Sequence, residues 1–517
     1  MPTLNRTAEV DSRLLNELRT AADDLLIEAP SDADGESDTI RFTQQAGPFE
    51  RYERELQVET IEPDRHRVSE RVEFRLAAPF WRPLVHLAIR FSFRRRFRDP
   101  VAVRRHLPWW APPSRFDQRN ATVLSLLAAV SMVVAYLGVL LSQTITFAAD
   151  EFGASDRTQG TTLAAVRVGV FLALGLITLA DRVGRKPILV GAVFAAVLVT
   201  ATGAFAPSLF WYGASQAAAR AFTTAAAVIV GIIAAEEVPA GARAYAVSIL
   251  ALVGALGSGV AVWFLFVADL DPRGWRILFL LPLFTLPALW RFARALPESI
   301  RFRAHVETGS GAIGGRIDRR RFVLVALLAF LLLFFNQPAS QFRNEFLRDE
   351  RGFTAVQITL FTVFTNAPAG IGVYVGGRLA DAHGRRIVGA VALVAGTILT
   401  VISYRVSGTA LWVWGVVNAV VSPAVVPALG VYSSELFATA RRGRANGLMT
   451  LIAVVGSSSG LLVAGYLADS LGGLGSALPL LAIAPIVLAG IVLTSFPETA
   501  GAELETLNPS DRRPDQA

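Results

Sequence analysis

The stretch LADRVGRK at residues 179–186 recurs as LADAHGRR at residues 379–386, a shift of 200 residues. Both copies follow an apolar run, and both join an aspartate to a Gly-Arg pair. The dipeptide Pro-Glu at 297–298 returns at 497–498 with the same shift. Coincident shifts at equivalent points of two apolar arrays indicate an internal repeat of roughly 200 residues.

A third match has nearly the same spacing. Glu237 and Arg243 correspond to Glu435 and Arg441, each with a shift of 198 residues. All three matches lie at ends of apolar runs, where charged residues are tolerated next to a membrane. The two halves of the chain are therefore predicted to have the same fold.

Apolar runs dominate the chain beyond residue 120. The protein has 517 residues, is 53% hydrophobic and only 18% charged, and 40 of its 91 charged side chains fall in residues 1–120. Soluble proteins are about one quarter charged, and runs of about 18 or more apolar residues are candidates for transmembrane helices. We predict twelve spans, at 122–149, 158–180, 187–206, 208–235, 244–268, 276–296, 321–338, 354–376, 387–405, 409–433, 446–468 and 474–496. This excludes a purely soluble enzyme and predicts an all-α polytopic membrane protein with two six-helix pseudo-repeats.

Arginine placement predicts the orientation. The loops after even-numbered spans hold 15 Arg or Lys residues, or 16 with the boundary residue Arg321, and the other loops hold 5, or 7 with the boundary residues Arg276 and Arg405. The positive-inside rule then places the even loops and both termini in the cytoplasm, against the anionic leaflet of the inner membrane. Arginines at the cytoplasmic ends of the spans account for the net charge of +7, so the charge does not indicate a nucleic-acid partner. The predicted parts are a cytoplasmic extension (1–118), two six-helix bundles (119–296 and 321–498), a linker (297–320) and a tail (499–517).

The first 118 residues are predicted to form a small α+β module. A weak amphipathic helix runs from about Asp11 to Ile27, and alternating stretches at 52–61 and 67–76 flank a Pro-containing turn, which is a hairpin signal. The apolar and basic stretch 79–98 is typical of a helix that lies on an anionic leaflet, with Trp109-Trp110 as interfacial aromatics. The alternative is a disordered, charge-balanced tail.

The motifs together resemble the major facilitator superfamily, and within it the sugar porter-like branch. Besides the repeated loop, the chain carries PESIRF at 297–302, YSSELF at 432–437 and PETAG at 497–501. The resemblance covers residues 120–506 and implies a transporter that works by alternating access. It also implies a cytoplasmic gate of opposite charges that pair when that mouth is closed. The gate residues are Asp181, Arg185, Glu237, Arg243, Glu298, Asp381, Arg385, Glu435, Arg441 and Glu498.

The substrate-facing positions depart from sugar porters. Leu137 stands where proton-coupled members carry an acid in the first span, and no Trp precedes Tyr432. Arg167 and Arg220 lie deep in the second and fourth spans, where a cation needs a partner or a cavity. Either carbonyls, water and amides satisfy them, or an anionic substrate does.

Amides in the second half complete the predicted substrate site. The repeat sets Asn366 and Asn418 opposite the two arginines, and Asn336, Gln337 and Gln341 resemble the paired-amide motif of sugar porters. Such amides bind hydroxyls or carboxylates, or else join helices. Pro338 is expected to break the seventh helix and free carbonyls toward the cavity.

We therefore expect a monomeric transporter of a small polar or anionic organic solute, sugar-like or carboxylate. The chain has no Cys and five scattered His, so no metal, cofactor or enzymatic centre is expected, while proton or other ion coupling stays open. The alternatives are a multidrug or metabolite exporter, or a non-transporting membrane receptor or scaffold that uses the N-terminal region.

Overall fold

The computed structural model describes residues 3–31, 39–98, 108, 110–154, 162, 165–166, 169–307, 318–343, 346–353, 355–438 and 441–508. The chain forms two compact units, Met1–Leu127 and Ala128–Ala517. The first unit holds the extension and the opening turns of the first membrane helix. The second unit holds the rest of the membrane region.

The first unit contains a five-stranded antiparallel sheet in the order β1-β5-β4-β3-β2. The predicted hairpin is its centre, since Val58 lies opposite Val68 across strands β4 and β5. The elements are β1 (Thr3–Asp11), α1 (Ser12–Arg19), β2 (Ile27–Pro30), β3 (Thr39–Ala46), β4 (Phe49–Glu62), β5 (Arg65–Leu76) and α2 (Arg82–Arg98). The described residues thus form a folded module and not a disordered tail.

Helix α1 is shorter than the sequence suggested. It starts at Ser12 with the Asp11 carboxylate accepting the Leu14 N–H at 2.7 Å, and it ends at Arg19. The predicted extension to Ile27 is wrong, because the chain reverses direction after Arg19 and the side-chain carboxylate of Glu28 accepts the backbone N–H of Ala22 at 2.8 Å. This bond holds the chain in a turn that leads into β2.

Aromatic side chains and one ionic cluster fill the module. Phe49, Phe74 and Phe93 are each at most 2% exposed. Beside them the buried carboxylate of Glu28 pairs with Arg54 at 2.7 Å and with Arg96 at 3.1 Å. Burial alone would raise the pKa of Glu28, but the two guanidinium groups outweigh it and lower that pKa to about 2.

The described residues include ten helical segments long and apolar enough to cross a membrane. They are Gln118–Ile145, Arg185–Phe205, Leu209–Glu237, Ala240–Ala268, Trp275–Ala295, Arg319–Gln341, Arg385–Ser403, Gly408–Glu435, Arg442–Ala468 and Leu474–Ser495. The second and eighth spans complete the set, the former as Gly169–Val183 and the latter as Ala355–Asn366 and Ala369–His383. The eighth span breaks before Pro368, a residue that disfavours helix in the position before it. The twelve-helix architecture in two pseudo-repeats is confirmed.

Helix bounds within the other spans are as follows. The first bundle has Gln118–Glu151, Arg185–Thr202, Leu209–Glu237, Arg243–Trp263, Trp275–Leu280 and Leu286–Ala295. The second has Arg319–Gln341, Arg385–Ser403, Gly408–Val421, Val425–Gly430, Tyr432–Glu435, Arg442–Leu471, Leu474–Leu481 and Ile483–Ser495. The short helices Ile300–Glu307 and Leu504–Leu507 follow the sixth and twelfth spans.

Pro338 does not break the seventh span, contrary to the expectation from sequence. The helix runs on to Gln341, and the Pro338 carbonyl accepts the N–H of Phe342 at 3.0 Å. The carbonyl that Pro338 leaves without its helical donor is that of Phe334. It faces Gly460 of the eleventh span so closely that an added Cβ there would lie 2.1 Å from its oxygen. The freed carbonyl therefore serves helix packing and does not line the cavity.

Candidate functional site: a charged end and a polar cavity

Both copies of the repeated loop start a helix in the same way. Gly184 and Gly384 have φ values of +127° and +97°, which favour glycine, and each precedes the first residue of a membrane helix. The Glu298 carboxylate accepts the N–H of Arg185 at 3.0 Å, and the Glu498 carboxylate accepts that of Arg385 at 2.9 Å. The Pro-Glu motif of each half therefore caps the helix that carries the motif's arginine.

The cap changes the acidity of its carboxylate. Burial alone would raise the pKa of Glu498, which lies beyond the twelfth span. Four backbone N–H groups, including those of Arg385 and Arg386, outweigh burial and lower the pKa below its ordinary value. Glu498 therefore stays ionised.

The first charge network crosses from one bundle to the other. Arg185 lies 3.2 Å from Asp181 and 3.6 Å from Glu236, all in the first bundle. Glu236 in turn pairs at 2.6 Å with Arg442 of the second bundle. The Asp181 carboxylate also accepts the backbone N–H of Arg444 at 3.0 Å. These contacts tie the fourth and eleventh spans together.

The second network repeats the first with the bundles exchanged. Arg385 lies 3.0 Å from Asp381 and pairs with Glu435, both in the second bundle. Glu435 pairs at 3.3 Å with Arg243 of the first bundle, and Asp381 accepts the backbone N–H of Tyr245 at 3.0 Å. We call the two networks with their capping glutamates the charged end.

The charged end is closed to solvent. The side chains of Glu236 and Glu435 are fully buried, and those of Arg185, Arg243, Arg385 and Arg442 are at most 1% exposed. Removing one partner of such a buried pair costs about 3–5 kcal/mol, because the other charge is left desolvated. The pairs that cross between bundles therefore make closure depend on both halves at once.

Two further predicted gate residues, Glu237 and Arg441, are adjacent to members of these networks. Glu237 accepts the backbone N–H of Ile300 at 2.8 Å, and Arg441 precedes the eleventh helix as its N-cap residue. Their neighbours form the ion pairs between the bundles. The structural equivalents differ by 199 residues, Glu236 with Glu435 and Arg243 with Arg442. Glu236 and Arg442 are each the neighbour of a predicted gate residue, within a doublet of like charges.

A polar cavity of about 210 Å³ lies inside the second bundle. It is lined by Asn336, Ala339, Ser340, Arg343, Thr365, Ala369, Thr400, Gly415, Asn418, Ala419, Ser422 and Pro423. Asn418 donates to the Thr400 hydroxyl at 3.0 Å, which orients its amide. Amides, hydroxyls and one guanidinium can together bind hydroxyl or carboxylate oxygens.

The predicted substrate residues divide into three groups. Asn336 and Asn418 line the cavity, whereas Gln337 and Gln341 do not. Arg220 is exposed and donates to the Gly138 carbonyl at 3.1 Å. Arg167 and the side chain of Asn366 lie outside the described residues.

Arg343 is a charged cavity residue that sequence reasoning missed. It follows the predicted end of the seventh span at 338, so it counted as a loop arginine, but the span continues as helix to Gln341. Asn336, Ser340 and Arg343 recur at helical spacing and share one face. That spacing was the available signal. Arg343 is half-buried and lies beside Tyr404.

Comparisons with known proteins cover both halves. A family model described as "Sugar (and other) transporter" matches residues 123–315, and one described as "Major Facilitator Superfamily" matches residues 339–511. The proton:xylose symporter XylE, solved with 6-bromo-6-deoxy-D-glucose, is 16% identical with a TM-score of 0.62, covering 76% of this chain and 98% of the other.

Two further solved structures have a similar fold. The human organic anion transporter MFSD10 (TETRAN) is 16% identical with a TM-score of 0.55, covering 72% of this chain and 99% of the other. The E. coli fucose:proton symporter FucP is 13% identical in one structure, with a TM-score of 0.56 and coverage of 72% and 98%. No curated protein matches the sequence.

Proposed function

The chain is a sugar porter-like protein of the major facilitator superfamily, and we propose that it moves a small polar or anionic organic solute by alternating access. The observation that carries this proposal is the pair of matched networks at the charged end. Each contains an ion pair that crosses between the bundles, Glu236 with Arg442 and Arg243 with Glu435.

Such an arrangement suits a two-state element. In the closed state the buried charges attract each other, and in the open state water replaces each lost partner. Because desolvation offsets most of the attraction in a buried ion pair, the two states can differ by only a few kcal/mol. The bundles can then separate at the charged end as rigid bodies while a solute bound between them gains access to that side.

The cavity of the second bundle is the proposed substrate site. Asn336 and Asn418 supply amides for hydroxyls, and Arg343 supplies a cation for a carboxylate. A role for Arg220 on the first bundle is part of the same proposal, since it is the described arginine deepest in that bundle's spans. The solved structures of similar fold include a xylose symporter and an organic anion transporter.

The experiment is transport in proteoliposomes after a thermal-shift screen against sugars, carboxylates and aromatic acids. A ligand at one hundred times its dissociation constant stabilises the folded state by about 2.7 kcal/mol. We expect Arg343→Gln to abolish flux of a carboxylate ligand and to spare flux of an uncharged one. Arg405→Gln is the matched control, because Arg405 is an exposed arginine outside the cavity lining.

Two results would contradict the proposal. Normal flux of every ligand in Arg343→Gln and Asn418→Ala would show that the cavity is not the substrate site. If the folded protein transported none of the ligands that stabilise it, the proposal that it is a transporter would be wrong. Varying the proton gradient in the same vesicles tests ion coupling, which could not use the first span's Leu137.

We also propose that both termini face the cytoplasm of the inner membrane, as the arginine distribution predicts. The chain has no Cys, so single cysteines placed near each end report accessibility without background. Labelling of both ends from the outside of intact cells would show that the orientation is the opposite of the one proposed. Labelling of only one end would exclude an even number of spans.

A further inference from the structure

Helix α2 buries one face in the N-terminal module. Ile89, Phe93 and Phe97 are between 2% and 7% exposed and pack into its two hydrophobic clusters. Arg96 also points inward and pairs with Glu28. These residues recur at intervals of three and four, which fixes the rotation of the helix on the sheet.

The opposite face of α2 is apolar as well. Leu84 and Leu87 are each 71% exposed, and Phe91 is 67% exposed. Spacings of three and four place the three side chains on one stripe. Arg94 and Arg95 continue this stripe toward the end of the helix, and both are exposed. We call these five residues the outer stripe.

The outer stripe has the order of a membrane-surface helix. Large apolar side chains that stand together in water are costly and mark a surface that is covered in use. Apolar residues followed by arginines match the boundary between acyl chains and anionic headgroups.

The start of α2 is attached at membrane level. The Trp81 indole N–H donates to the Ser125 carbonyl at 2.9 Å, and the Thr122 hydroxyl donates to the Ala77 carbonyl at 3.1 Å. Thr122 and Ser125 belong to the opening turns of the first span, which begins at Gln118. Ser125 is seven residues along that helix, about 10 Å from its start at 1.5 Å per residue. The first turn of α2 therefore lies at the depth where lipid begins.

We propose that the outer stripe inserts into the surface of the membrane on the module's own side. Leu84, Leu87 and Phe91 lie among the upper acyl chains, and Arg94 and Arg95 bind anionic headgroups. The hydrogen bonds of Ala77 and Trp81 to the first span hold the helix at the depth that this insertion requires. The partner is a lipid surface, and the surface is independent of the solute site.

The test uses single-cysteine variants of the full chain, since the natural chain has none. Leu87→Cys and Phe91→Cys are labelled with an environment-sensitive fluorophore in vesicles of phosphatidylcholine and phosphatidylglycerol. We expect quenching by nitroxide-labelled lipids and protection from iodide. Ile61→Cys is the matched control, because Ile61 is an exposed apolar residue at the far end of strand β4 and should show the reverse.

Charge removal gives a second readout. Arg94→Gln and Arg95→Gln should each shift the Phe91 label toward the iodide-accessible form roughly fivefold in the anionic vesicles. In pure phosphatidylcholine the same substitutions should have little effect. Both residues are exposed, so the variants should fold.

Two outcomes would overturn the proposal. If the labels at 87 and 91 respond to iodide like the label at 61, the stripe lies in water. If they are shielded from iodide but not quenched by the lipid nitroxides, a protein or a second copy of the chain covers the stripe.

Discussion

Replacing Arg442 by Gln should open the charged end. In the closed state Arg442 is the second-bundle partner of Glu236, at 2.6 Å, and both side chains are fully buried. The substitution leaves Glu236 with Arg185 as its remaining cation, at 3.6 Å. The closed state loses a short ion pair, whereas the open state loses only a hydrated arginine. The equilibrium must therefore move toward the open state.

The size of the shift follows from the burial. Removing one member of a buried pair costs about 3–5 kcal/mol, and each 1.4 kcal/mol is about a tenfold change in an equilibrium constant. The ratio of open to closed molecules should thus rise by a factor on the order of 100 to 1,000. Even a strongly closed wild type should then show a measurable open population.

Spin labels at the charged end measure this population directly. Val183 and His383 are exposed and equivalent in the two halves, and cysteines there can be labelled without background. Pulsed electron resonance should give one short label–label distance in the wild type. In Arg442→Gln we expect a second, longer distance to dominate.

The control is an exposed arginine of the first bundle. Arg273 lies 3.4 Å from Glu151 and is 78% exposed, so Arg273→Gln should cost at most about 1 kcal/mol and leave the distance unchanged. Adding Glu236→Gln to Arg442→Gln should restore part of the closed population, because the stranded charge is gone. Identical distance distributions in Arg442→Gln and the wild type would refute the gate.

Three further predictions concern other parts of the chain. Arg220→Ala should abolish transport in proteoliposomes with unchanged thermal unfolding, and normal flux would remove Arg220 from the site. Gly184→Ala should lower stability by about 1–3 kcal/mol, because φ is +127° and its Cβ would lie 2.6 Å from Glu298, whereas Gly191→Ala, with open space, should not. The pKa of Glu28 is lowered from 4.5 to about 2, so the ionised carboxylate stabilises the folded N-terminal module by about 3 kcal/mol. This stabilisation is present above pH 4.5 and is lost as the pH falls toward 2. The protection factors of the amides in strands β4 and β5, which compare their exchange rates with those of an unfolded chain at the same pH, should therefore fall between pH 5 and pH 3, and Glu28→Gln should remove that pH dependence.

The repeat in the sequence predicted the twelve-helix fold because apolar length and duplicated loops are local signals. It could not resolve which member of a charged doublet faces the other bundle. Matching Glu435 to Glu237 and Arg441 to Arg243 gives a shift of 198 residues. Matching Glu435 to Glu236 and Arg442 to Arg243 gives 199, and the sequence supports both equally. The choice depends on the rotation of a helix end, and adjacent residues on a helix point about 100° apart.

The cavity shows a similar limit. Asn336 and Asn418 were predicted from motif and repeat, and both line it. Arg343 was missed because the predicted span ended at an assumed break at Pro338, whereas the packed carbonyl of Phe334 allows the helix to continue. Burial of the stripe's opposite face on α2 was equally hidden, since both faces of that helix are apolar and only the tertiary fold distinguishes them.

The charged end also explains why opening there should move whole bundles. Glu298 caps the helix that begins at Arg185, so the arginine of the ion network and the start of its helix are held by one carboxylate. The same holds for Glu498 and Arg385. Local fraying of the helix end would break the capping hydrogen bond and the ion network together, so the free energy of both would be lost. Separation of the bundles breaks only the ion pairs that cross between them and leaves the caps intact. Rigid-body motion is therefore the less costly route to an open gate.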